Sequence, residues 1–125
     1  MKKPTTAILC IAGLCSAAFA AKSWDGTYTA FKGTYLIYSG ELGEEAAPTP
    51  SDRKVALSIH GDTAKALFES IGPDLRDACG ASADVRMREK GDLDCVHDRT
   101  DQTSPYVCHF GINLRTGKSM HGSIC

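Results

Sequence analysis

The stretch Gly91-Asp92-Leu93-Asp94-Cys95-Val96-His97, a polar turn, and Tyr106-Val107-Cys108-His109-Phe110-Gly111-Ile112-Asn113-Leu114 decides the fold. Both runs alternate apolar and polar residues with period two, which is the pattern of half-buried strands. Leu93, Cys95 and His97 share one face of the first strand, and Cys108, Phe110, Ile112 and Leu114 share one face of the second. Arg99–Pro105 joins them as a turn, and Cys95 and Cys108 stand equally far from the Asp101–Gln102 turn centre. They therefore face each other across adjacent antiparallel strands. Thr116-Gly117 opens another turn, and Ser119–Cys125 reads as a closing strand with Met120 and Ile124 inward.

The same alternation continues upstream. Lys54–His60 sets Val55, Leu57 and Ile59 on one face. Asp62 or Thr63 then caps a helix over Thr63–Ile71, with Ala64, Leu67, Phe68 and Ile71 at helical spacing. Gly72-Pro73 stops it, and Asp74–Gly80 reads as one further turn. Val85–Glu89 carries Val85 and Met87 on one face and Arg86 and Arg88 on the other. Thr34–Leu42 is rich in β-formers and reads as a strand. Gly43–Asp52, with two prolines and acidic or small residues, reads as a solvated loop. Ala21–Gly33 reads as a short strand or an ordered arm. The sum is one α+β domain: an antiparallel sheet of about five or six strands with one main helix on one face and two disulfides.

The first twenty residues stand apart from that domain. Lys2 and Lys3, the apolar run Ala7–Ala18 and the Ala18-Phe19-Ala20 site make a secretory signal peptide, leaving 21–125 as the domain. Neither Cys10 nor Cys15 has the flanking residues of a lipidation site, so no membrane anchor is expected after cleavage. Of 125 residues 105 remain, with twelve basic and fifteen acidic side chains, a net charge of −3. That balance gives no nucleic-acid footprint, which needs a basic face. The expected location is periplasmic or secreted.

Four cysteines remain: Cys79, Cys95, Cys108 and Cys125. Their gaps of 16, 13 and 17 residues lack the close pairs of a zinc site. An even number in a small exported chain implies disulfides. Keeping Met120 and Ile124 inward leaves Cys125 free to reach Cys79, so the expected bridges are Cys95–Cys108 and Cys79–Cys125. The second would stabilise by roughly 4 kcal/mol on the loop-entropy model.

The layout Ser58-Ile59-His60-Gly61, then Thr63-Ala64-Lys65-Ala66-Leu67-Phe68-Glu69-Ser70-Ile71, then Lys90-Gly91-Asp92-Leu93-Asp94-Cys95 and Tyr106-Val107-Cys108-His109-Phe110 resembles small exported bacterial proteins of unassigned function. The likeness runs from about Lys54 to Leu114. Its motifs are structural, and it implies no catalytic residue.

Candidate chemistry is sparse. No Gly-x-Ser-x-Gly elbow is present, and Ser58 and His60 are two apart by strand alternation. Asp92, Asp94, Asp98 and Asp101 lack the order of a calcium loop. No phosphate cradle or dinucleotide fingerprint occurs, so no cofactor and no metal is expected. His97 and His109 fall on opposite faces. His109 and His121 fall on one outer face and, with Lys118 or Arg88, would suit acid–base chemistry on an anionic substrate. The ordinary reading is histidines on a solvated sheet surface. Trp24, Tyr28, Phe31, Tyr35 and Tyr38 cluster early; they could form a binding surface, and the ordinary reading makes them core and strand face. The expected function is non-enzymatic: an exported envelope protein binding a protein partner, of inhibitor or immunity type. A small periplasmic hydrolase using His109, His121 and Lys118 is the alternative, and an accessory subunit of an envelope assembly is a third.

Overall fold

The computed structural model describes residues 23–124. The signal-peptide reading of 1–20, and Cys125 of the expected Cys79–Cys125 bridge, lie outside them. The elements are β1 (Lys32–Glu41), β2 (Glu44–Ala46), β3 (Lys54–His60), α1 (Gly61–Ser70), β4 (Val85–Lys90), β5 (Leu93–Asp98), β6 (Tyr106–Asn113) and β7 (Ser119–Met120). All strand pairs are antiparallel, in the order β2-β1-β3-β6-β5-β4, and β7 pairs with β6. The fold is α+β with one helix, as the periodicity implies. The sheet has seven strands rather than five or six. The extra one is β2, which lies within the stretch read as a loop.

Register follows the cysteines. Cys95 is directly opposite Cys108, with Cα atoms 4.0 Å apart and a disulfide between them. It is the one bridge joining two described residues. Both half-cystines are fully buried under α1, together with Ala64 and Phe68, and Ile59, Leu67, Ile71, Leu93 and Tyr106 pack around them. The stripe Ala64, Leu67, Phe68 and Ile71 therefore meets the sheet as its spacing predicts.

The helix itself starts earlier than its capping residues suggest. Gly61 takes a positive φ of 68°, so β3 turns straight into α1. His60 is the N-cap and makes no side-chain capping bond. At the other end Ile71 turns extended, and Asp74–Gly80 forms no helical turn. The last carbonyls are held from the sheet: Arg88 donates to Phe68 O at 2.8 Å and to Ile71 O at 2.9 Å. Arg86 and Arg88 lie on the helix side of β4, since they pair with His97 and Cys95. Asp74 accepts from both, and these guanidinium hydrogen bonds hold its pKa down to about 2.

The chain end departs most from its reading. β7 stops at Met120, two residues in; Met120 stands opposite Gly111 and so faces away from α1, and Ile124 is 67% exposed, so neither is inward. Residues 121–124 run as a strap across β6. A Cβ on Gly122 would lie 2.5 Å from Phe110 O, so only glycine lets the strap lie this close.

Candidate functional site

Two surfaces carry chemistry: a polar cluster on the sheet face away from α1, and an apolar stretch from the first described residues through β1.

The polar cluster grows from strand parity. Cys95 and Cys108 point to the helix, so their neighbours Asp94 and His109 point away. These two are directly opposite on β5 and β6. His109 Nδ1 lies 3.0 Å from Asp94 Oδ2, and Ser123 of the strap donates to Asp94 Oδ1 at 2.8 Å. Asp94 is 6% exposed. Two residues earlier, Asp92 accepts from Ser119 at 2.6 Å. His121 Nε2 is 3.7 Å from Asp92, beyond hydrogen-bond reach. Beside the cluster lies a cleft of about 340 Å³ lined by Leu75, Met87, Glu89, Asp94, His121 and Ser123.

Ser58 stands directly opposite His109 on the other flank, so Asp94, His109 and Ser58 form a row across three strands. A carboxylate that orients an imidazole, next to a serine, is the arrangement of nucleophilic catalysis. The serine hydroxyl is engaged elsewhere. Ser58 Oγ bonds His60 Nε2 at 3.1 Å, and His60 Nδ1 bonds Ser104 at 3.0 Å.

His109 and His121 do share the outer side, but not by strand parity: Met120, opposite Gly111, already faces that side, and His121 lies there because the chain leaves the strand after Met120. Each sits by its own carboxylate, and no contact joins them to each other or to Lys118 among the described residues. Lys118 is exposed on the β6–β7 turn. Arg88, the other cation considered, is on the opposite face beneath α1. Asp94 is weighed in the sequence only for a calcium loop and Ser123 not at all, although the symmetry that pairs Cys95 with Cys108 also pairs Asp94 with His109. Ser123 had no such signal, because the strap follows no strand period. No group of three or more metal-binding side chains is arranged to hold an ion among the described residues.

His97 is the opposite case. It lies under α1, stacked on Tyr106 with ring centres 4.1 Å apart and edge-on to Phe68. Its Nδ1 is buried without a partner. Burial, then the nearby Arg86 and Arg99, pushes its pKa below the ordinary histidine value.

The apolar stretch corrects the aromatic reading. Only Tyr38 of the early cluster is buried. Trp24 is 93% exposed, Tyr28 is fully exposed, and Phe31, Tyr35, Leu36 and Ile37 are all exposed. Six of the nine exposed large hydrophobics among the described residues thus fall between positions 24 and 37. Scattered single residues of this kind are ordinary, whereas a concentration marks an interaction surface. At the far end of β1 the hairpin tip is acidic: Glu41 pairs in register with Glu44, and Glu45 follows. The loop behind it is pinned by Ser39 Oγ donating to Ala47 O and Gly40 N donating to Asp52.

No helix among the described residues is long and apolar enough to cross a membrane. No family model matches the chain, and no curated protein or solved structure resembles it at a significant level.

Proposed function

We propose that this chain is a non-enzymatic exported protein of the cell envelope, periplasmic or secreted, that works by binding a protein partner in the manner of an inhibitor or immunity protein. The observation that carries this reading is the uncovered aromatic arm at 23–31, with Trp24 and Tyr28 bare of any packing. Trp and Tyr are the side chains that most often anchor an interface. The Cys95–Cys108 disulfide supports an oxidising compartment, and the Cys79–Cys125 bridge belongs to the same proposal. The acidic tip supports a basic partner. Glu41 opposite Glu44 is a like-charge pair, and the tip's own cation, Lys54, lies 3.9 Å from Glu41 and is shared with Asp52.

The second reading, a small periplasmic hydrolase, draws on the Asp94–His109 hydrogen bond with Ser58 beside it.

One experiment separates them. The protein is used to isolate a partner from the envelope fraction, and the identified partner is titrated against wild type and against Trp24→Ala/Tyr28→Ala. Loss of two anchors is expected to raise Kd at least about thirtyfold. A partner bound equally well by the double variant overturns the role of the arm. Turnover of an ester or phosphodiester panel that His109→Ala abolishes overturns the non-enzymatic reading.

A further inference from the structure

The two edges of this sheet are treated differently. The outer edge of β4 is covered by the chain before it: Leu75 N donates to Met87 O at 2.8 Å and Ser82 N donates to Val85 O at 3.0 Å. Its side chains add Arg86, Arg88, Glu89 and Lys90. Charge and a covering loop are how natural sheets close an edge.

β1 has neither. Over Lys32–Tyr38 it pairs with β3 alone, and β2 reaches only Ser39–Glu41. Along those seven residues one row of backbone N–H and C=O groups has no strand partner among the described residues. Lys32 is the only charge in the segment. Tyr35, Leu36 and Ile37 follow one another, so they point alternately to the two faces. All three are exposed, at 71%, 48% and 40%. An unbroken apolar run of β-formers is the composition of a strand covered on both faces. Here both faces and one edge are open.

We propose that β1 pairs antiparallel with β1 of a second copy, about a two-fold axis perpendicular to the sheet, joining two sheets into one. A two-fold contact needs a patch that complements itself. Centred on Tyr35, the free segment does: Tyr35 faces Tyr35, Thr34 faces Leu36, Gly33 faces Ile37, and Lys32 faces Tyr38. No like charges are opposed. The closed β4 edge denies head-to-tail pairing, so assembly stops at two chains. In one chain the aromatic arm and the acidic tip lie at opposite ends of β1. The pairing sets Phe31 of one copy level with Ser39 of the other, and so brings each arm beside the other copy's acidic tip. This inference goes beyond the partner-binding reading and stands without it.

Sedimentation equilibrium of the exported protein over roughly 1 to 100 µM tests it, because association follows concentration. The expected mass is that of two chains at the upper end, falling on dilution. Leu36→Lys is expected to raise the dimer dissociation constant at least about tenfold. A single-chain mass throughout overturns the proposal. So does a dimer that Leu36→Lys leaves intact, since the contact then lies elsewhere. If Leu36→Lys fails to fold, Tyr35→Cys decides. A covalent dimer released by reductant supports the pairing, because directly opposed residues can form a disulfide as Cys95 and Cys108 do. Absence of that covalent dimer overturns it.

Discussion

The guanidinium of Arg88 lies 4.3 Å from the centre of the Phe68 ring and donates to the carbonyl of that same residue. One side chain thus covers the helix core aromatic and closes the helix end. The last carbonyls of a helix have no partner within it, and α1 has no basic residue in its last turn. The sheet supplies the cation instead, which also complements the helix dipole.

Arg88→Ala is therefore expected to destabilise the fold by about 1.5–3 kcal/mol, the range for hydrogen bonds to a charged group. Arg88→Lys keeps the charge and loses the fork, and should recover only part of this. Denaturant midpoints of the two variants check the order. Equal stability of Arg88→Ala and wild type would remove this account of the helix end.

The Cys95–Cys108 bridge closes a short hairpin loop. Replacing both residues by alanine is expected to cost about 3 kcal/mol on the loop-entropy model. The hairpin register should survive, since Asp94 and His109 still face each other beside it. Urea unfolding gives the first quantity, and amide exchange along β5 and β6 gives the second.

His97 makes the fold sensitive to mild acid. Its pKa is lowered in the folded state from 6.5. Folding therefore favours the neutral ring and releases a proton where the unfolded chain would hold one. The stability tied to His97 is fully present above pH 6.5 and declines as pH falls below that value. The groups facing the ring sharpen the effect. Arg86, Arg99 and Lys65 disfavour the imidazolium, and only Asp98 favours it. His97→Gln is expected to flatten stability against pH below neutrality. A wild-type profile with no slope there, measured by thermal unfolding, counts against the assignment.

Asp74 acts at lower pH. Its carboxyl is held down to about 2 from 3.8 by Arg86 and Arg88. Its contribution is present above 3.8 and is lost as pH falls toward about 2. Asp74→Asn should mimic that loss at neutral pH by loosening the chain before β4. Faster exchange of the Leu75 amide, which bonds Met87 O, is the readout. Because the pair is partly exposed, global stability should change little.

Asp94 is expected to serve structure. It is buried and joins β6 to the strap through His109 and Ser123. Asp94→Ala leaves two polar groups short of a partner and should cost about 1–3 kcal/mol. Ser123→Ala should free the strap at less cost. Nuclear magnetic resonance exchange at 121–124, with equilibrium unfolding, separates the two variants.

The sequence by itself determined the long strands and the facing of β5 against β6, though not β2 or the short β7. Period-two alternation set Cys95 against Cys108 and sent His97 and His109 to opposite faces, because a pleated strand leaves each side chain only two directions. Helical spacing of Ala64, Leu67, Phe68 and Ile71 likewise settled which stripe of α1 is buried. Tertiary structure alone decided what lies outside those periods. Residues 121–124 follow no regular repeat, so their crossing over β6 and the Ser123–Asp94 bond had no local signal. Alternation set Arg86 and Arg88 on the face away from Val85 and Met87 and gave no sign of what covers them; they lie beneath the helix, since only the packed fold brings Phe68 and the helix carbonyls within their reach. Tyr35, Leu36 and Ile37 have core composition, and burial depends on which strand stands beside them. Beside Lys32–Tyr38 the described chain places β3 on one edge and no strand on the other, since β2 reaches only Ser39–Glu41.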